Sequence, residues 1–309
     1  FVAPVSVRSS MARVSLEAPG APPDSAAAVG STRVTVENHA NATLPIELQY
    51  GQTKQTFTLP GRMSLTREVR MAAPRSDPGN YRAPIDVLVS GRLVAREMVQ
   101  IAVPALCRRA PSAMRMNGDL TEWQNAFNVA LDSSDLISEK RWSGRSDLSA
   151  NLLTMWDERN LYIALSVADN VHNQPYTPDA MVRGDSVQIA LDASWEAPGG
   201  RERLEAIHEF AMALLRTGPA LYRLKGAAAA PAPVPGASIQ VLRAGNLTIY
   251  EAAIPWSELG IARPAAGRAI GLSLRINDND ETSRGQLQWP RAAAAPSGAR
   301  EYVGLRLTE

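Results

Sequence analysis

The sequence is poor in the residues that most often carry metal and redox chemistry. It holds one cysteine, Cys107, and three histidines, His39, His172 and His208, in 309 residues. A lone cysteine closes no internal disulfide and builds no thiolate metal cluster, so the stretch PALC around it reads as a small buried or linking thiol. HEFAM, residues 208–212, lacks the second histidine that a zinc-protease helix needs. There is no G-x-S-x-G elbow and no glycine-rich phosphate loop. Charge of one sign is missing too: 32 basic against 31 acidic residues leave a formal net charge of +1, and no global field favours nucleic acid or an anionic membrane. No apolar run approaches the roughly 18 residues that span a bilayer. The sequence starts at Phe1, as either a removed export signal or a trimmed chain would explain. These absences point away from an enzyme and from nucleic acid as a partner.

What is present suits folded protein. With 45% hydrophobic and 20% charged residues, 309 residues are enough for about two domains, each with its own core. Residues 1–105 carry short alternating segments: STRVTVEN, LPIELQY, QTFTLP and APIDVLVSGRLVAREMVQIAV. Period-two alternation is the mark of a half-buried strand, and Ser90-Gly91 between two such runs predicts a hairpin. The pattern predicts an all-β, immunoglobulin-like sandwich, without a Cys-Trp-Cys signature to support it. A linker is expected over 106–113, where prolines and arginines interrupt the pattern. Ala-Pro-rich stretches at 18–30, 226–237 and 292–299 read as loops or extended ties.

Residues 114–309 carry five ordered motifs: MNGDLTEW (116–123), MWDERNLYIALSVAD (155–169), GDSVQIALDA (184–193), YEAAIPWSELG (250–260) and IGLSLRINDND (270–280). NGD is a turn signal with Trp123 behind it as a plug, and GDSVQIALD alternates Val187, Ile189 and Leu191 between polar ends. In YEAAIPWSELG, Pro255 breaks a strand and Gly260 stops the helical turn after it. ERLEAIHEFAMALLRTG is ambiguous, since its apolar residues fit both a helix, which local propensity favours, and a strand, which its place among the ordered motifs favours. Asp157 and Asp169 flank about ten residues of strand, which sets them roughly 30–40 Å apart. No glycosidase-like pair fits that span, since its carboxyls lie within about 5–10 Å. The two aspartates read as turn punctuation, with calcium ligation as the competing role.

Taken in order, these motifs resemble the family 9 carbohydrate-binding module and its relatives, a β-sandwich of exported proteins. The resemblance implies a second β-sandwich in tandem with the first, and structural calcium, for which Asp119, Asp278 and Asp280 are the acidic turn residues that could serve. It also implies a sugar site in which two tryptophans sandwich the ring. Here the first of those places, just ahead of GDSV, is Val182 or its neighbours Met181 and Arg183; the usual glutamate within the motif is Gln188. The second falls in PRAAAAPSGAR, which has no aromatic residue. A dismantled clamp implies a non-catalytic accessory or scaffold component, docked on a periplasmic or extracellular envelope assembly such as a respiratory or photosynthetic complex. The alternative is a carbohydrate-binding protein that uses Trp142, Tyr176 and Trp195 with Gln188. A third reading, haem held by Met155, Met181 or Met212 with His172 or His208, ranks below both, because an apolar methionine ordinarily fills core.

Overall fold

The computed structural model describes residues 5–9, 12–14, 29–73, 77–112, 114–137, 142–195, 206–226, 231–290 and 301–309. The chain divides into two compact units, Phe1–Pro104 and Ala105–Glu309. Both are all-β sandwiches, as the alternation predicts.

The first unit contains β1 (Val5–Ser9), β2 (Ala12–Val14), β3 (Val29–Asn38), β4 (Leu44–Tyr50), β5 (Thr53–Leu59), β6 (Ser64–Ala72), β7 (Gly79–Val89) and β8 (Arg92–Val103). Its strands pair in the order β1-β3-β2-β8-β7-β4-β5, with β6 on β3. The β7–β8 hairpin turns at Ser90 and Gly91, both at positive φ (51° and 76°), the left-handed pair that matches the strand twist. Val34, Val36, Ile46, Leu48, Ile85, Val87, Val99 and Ile101, one face of each alternation, form the core.

The second unit contains β9 (Ala105–Arg109), β10 (Phe127–Leu131), β11 (Leu148–Trp156), β12 (Asn160–Asp169), β13 (Ser186–Asp192), β14 (Ile207–Leu215), β15 (Gly218–Lys225), β16 (Ala232–Pro233), β17 (Ser238–Ala244), β18 (Leu247–Pro255), β19 (Ala269–Asn279), β20 (Arg284–Trp289) and β21 (Val303–Thr308). One hydrogen-bonded path, β16-β15-β14-β13-β19-β21-β9-β11-β12-β18-β17, is bent so that its two halves enclose a core including Leu161, Ile163, Leu165, Val187, Ile189, Leu191, Leu272 and Leu274.

One expectation changes here, and one ambiguity resolves. The linker predicted over 106–113 begins inside a strand: β9 runs parallel to both β21 and β11, with Ala105 and Cys107 buried. Small residues at alternate positions let it pass between the two halves, and burial pushes the Cys107 thiol up from its ordinary range. The ambiguous stretch resolves as strand β14, paired with β13 on one edge and β15 on the other. Two ladders of backbone hydrogen bonds outweigh its local helix preference.

The NGD turn and its plug are joined by one buried carboxylate. Glu251 on β18 is fully buried and accepts from Asn117 N at 2.8 Å, from Gly118 N and from Trp123 Nε1 at 2.8 Å. Glu251→Ala leaves the buried Trp123 Nε1 and the two turn amides of Asn117 and Gly118 without their acceptor and is expected to destabilise the second unit by about 3 kcal/mol. Glu251→Gln, which keeps a carbonyl oxygen, should lose less. Urea unfolding followed by tryptophan fluorescence checks this, because all six tryptophans lie between residues 123 and 289.

Candidate functional site

One end of the second unit gathers the polar residues. β12 ends there at Asp169, the loop after it runs through the 3-10 turn Pro178–Arg183, β13 starts there at Ser186, and the antiparallel β19 ends there at Asn279. The loop is tied back by a buried amide: Gln174 Nε2 donates to Met181 O at 2.9 Å and to Asp185 O at 2.8 Å. Close approach explains Gly184, where an added Cβ would sit 2.5 Å from Gln174 Oε1 and 2.9 Å from Asn173 O.

Asp185 accepts from Asn279 N at 2.7 Å and from Asn173 N, and its carboxylate lies 3.2 Å from His172 Nδ1. Asp169 accepts from Val171 N at 2.8 Å and faces Arg243, which reaches its carboxylate at 3.2 Å and its carbonyl at 2.8 Å. Burial, followed by the charge of Asp185, raises the Asp169 carboxyl to about 6, against the opposing pull of the Val171 N–H, Arg243 and His172. Burial, with Asp185 and Asp169 beside it, also pushes the Tyr250 hydroxyl upward.

Two overlapping groups of these side chains offer ligand atoms within 4.8 Å of one another: Asp169, His172 and Asp185, and Asp169, Asp278 and Asp280. Asp278 and Asp280 thus come together as the acidic tip NDND predicts. Asp119 does not join them. It caps the 3-10 turn Leu120–Trp123, accepting from Thr121 N at 2.9 Å, a local role that its place ahead of LTEW explains. The sequence reading of Asp157 and Asp169 as punctuation divides. Asp157 is a turn residue, accepting from Arg159 N, Asn160 N and the Tyr162 hydroxyl, each at 2.7 Å. Asp169 belongs to the acidic end. Asp169 and Asp185 flank the same loop, which leaves and re-enters one end of the sandwich; that was the available signal.

The aromatic candidates are not brought together. Trp142 donates from Nε1 to Leu148 O at 2.8 Å and packs on the core. Trp195 lies past the far end of β13, where an added Cβ on Gly271 would sit 2.9 Å from its ring. The seven-residue strand puts roughly 20 Å between that end and the loop that holds Tyr176. Tyr176 carries the Arg183 guanidinium on its ring at 5.1 Å. Gln188 sits mid-strand opposite Arg275, one outward position beyond Ser186. Val182 packs beside Met181, Ala211, Ala213 and Leu215, while residues 291–300, the second clamp place, lie outside the described residues. Met155, Met181 and Met212 fill three separate apolar clusters, and the His208 ring stacks on Phe210.

Missed from sequence was a recess of about 250 Å³ lined by Val182, Arg183, Asn277, Asp278, Arg284, Gly285 and Gln286. Its floor is an amide chain: Gln286 Nε2 donates to Asn277 Oδ1 at 2.8 Å, and Asn277 Nδ2 donates to Ser186 Oγ at 2.9 Å.

Chemically, the trio Asp169, Asp278 and Asp280 offers oxygen donors alone, which suits a hard cation such as calcium. Calcium is expected to raise the melting temperature relative to chelator, by the equivalent of about 2.7 kcal/mol at a hundredfold excess over Kd. Asp278→Asn should abolish the shift, and identical melting curves with calcium and with chelator would remove the ion from this site.

The profile described as carbohydrate family 9 binding domain-like matches residues 117–295. Among solved structures, the chain is similar to a family 9 carbohydrate-binding module from Caldicellulosiruptor kristjanssonii in complex with cellotriose, at 16% identity and a TM-score of 0.49, covering 66% of this chain and 93% of that one. A structure of a family 9 module from the same organism in complex with glucose gives 15% identity and a TM-score of 0.47, covering 66% and 95%. No curated protein matches. The matched span takes in more than half of the chain, from the NGD turn through the acidic tip, and the chain belongs to the carbohydrate family 9 binding domain-like family.

Proposed function

We propose that this chain is a non-catalytic, exported accessory subunit that docks on a larger cell-envelope assembly. One observation carries the reading: the first clamp place holds no aromatic side chain, and the aromatic candidates Trp142, Tyr176 and Trp195 are not brought together. Val182 stands at the first clamp place, packed in an apolar cluster, and Arg183 lies on Tyr176. Trp142 and Trp195 are built into the fold. Stacking on flat aromatic surfaces supplies much of the affinity of a sugar site, so a fold that has lost it is free for another partner. With a net charge of +1 the chain has little long-range steering, and a stable partner must be held by buried contact, typically about 1,200–2,000 Å². The reading includes an immunoglobulin-like first unit, a periplasmic or extracellular location, and partners in a complex such as a respiratory or photosynthetic one.

A second reading, carbohydrate binding, draws on the amide floor of the recess, whose Asn277 and Gln286 are the residue types that take sugar hydroxyls. Glucose, cellobiose and xylobiose at millimolar concentration separate the two. Docking predicts no calorimetric signal, and saturable heat at that concentration, equivalent to roughly −4 kcal/mol, supports the second reading. Docking also predicts that the protein co-migrates with other envelope proteins when isolated from its native source under mild conditions. Migration alone overturns it.

A further inference from the structure

His172 is carried between two anchors. Its neighbours Val171 and Asn173 donate their backbone N–H groups to the carboxylates of Asp169 and Asp185 respectively. The chain is thereby pinned on both sides of the imidazole, and Asp169, His172 and Asp185 each offer a ligand atom, all within 4.8 Å of one another. Both aspartates are 4% exposed, and the imidazole, 20% exposed, extends from them towards the surface. His172 Nδ1 itself is buried and lies 3.2 Å from Asp185 Oδ2, yet it makes no hydrogen bond. A buried polar atom ordinarily has a partner. The separation is that of two donors on one metal ion: with bonds of about 2.0 Å and a tetrahedral angle, neighbouring ligand atoms stand roughly 3.3 Å apart. Charge points the same way. Asp278 and Asp280 also come within 4.8 Å of Asp169, so four carboxylates gather at this end, and Arg243 pairs with one of them.

We propose that Asp169, His172 and Asp185 bind a divalent transition-metal ion of the zinc class. Two carboxylates and one neutral imidazole leave a fourth position to water, a donor set that zinc accepts and that calcium, which takes oxygen ligands, does not favour. The hydrogen bonds from Val171 N, Asn173 N and Asn279 N orient the carboxylates without exhausting them, since each carboxylate has about four lone-pair sites. The bound ion clips the end of β12 and the start of β13 to the loop between them, the loop that also carries Tyr176 and Arg183. Asp169 is shared with the oxygen-only trio, and His172 is what separates the two chemistries. The proposal stands apart from the docking reading, because a metal at this place suits a protein partner and a sugar alike.

The test uses the full chain, treated with chelator and then titrated with zinc chloride at neutral pH by calorimetry, with cobalt(II) as a spectroscopic probe. The expected result is saturable binding of a single zinc ion, a melting temperature raised by zinc, and affinity at least tenfold weaker in His172→Ala. Because the ring is partly exposed, His172→Ala should melt like wild type in chelator, so that lost binding reads as lost ligation. Cobalt should give visible absorption bands in wild type and none in His172→Ala. His39→Ala, which removes an imidazole of the first unit, should bind zinc as wild type does. Equal binding by wild type and His172→Ala overturns the proposal, and so does binding that is lost in His39→Ala instead. A calcium-dependent melting shift without any binding of micromolar zinc overturns it too, and assigns this end to the hard ion alone.

Discussion

The antiparallel register of β13 and β19, with Ser186 opposite Asn277, underlies everything at the polar end of the second unit. Side chains along a strand alternate between faces, so this pairing turns Val187, Ile189 and Leu191 toward Ile276, Leu274 and Leu272 in the core. The same pairing turns Ser186 and Asn277 outward, where Asn277 meets Gln286 of β20 and completes the floor of the recess. A slip of one residue would exchange the two sets and bury the amides where the leucines belong. Position beyond the strand ends is fixed as well, because Asp185 accepts from Asn279 N as the chain enters β13.

Much of the architecture was legible in the sequence. Alternation located the β7–β8 hairpin, and the special backbone at Ser90 and Gly91 follows from the residues that can adopt it. The break at Pro255 and the left-handed stop at Gly260 (φ 66°) appear where those residues predict them. The missed strand and the ambiguous one share a cause, which is that strand partners far apart in sequence decide what a short segment becomes. ALCRR has too few residues for a clear period, and its strand exists because β21 and β11 offer it two edges. Nothing local in HEFAM states that β13 and β15 will flank it.

The site was harder to read for a related reason. Asp119, Asp278 and Asp280 look alike as acidic turn residues, yet two of them sit at the tip of β19 and the third serves as a helix cap. Asp169 and Asp185 gain their significance from a loop of 15 residues between them that returns to where it started. The resemblance located the first clamp place and its substitution by Val182. It could not show that Arg183, one residue on, would lean over Tyr176 and meet Arg284 from a strand a hundred residues away.

The position of β9 constrains the order in which the second unit can be completed. Its residues Ala105–Arg108 pair in parallel with Leu305–Thr308, so the first strand of this unit waits for the last to leave the ribosome. Until then, β9 has only a two-residue ladder, Arg108 and Arg109 against Met155 and Trp156, and the apolar side chains of its buried face lack half of their cover. Pairings this distant are slow, because the long loop must close before any contact rewards it. Synthesis therefore leaves the seam of this sandwich open longest, and an intermediate lacking β21 exposes the edges of β9 and β19 to other chains.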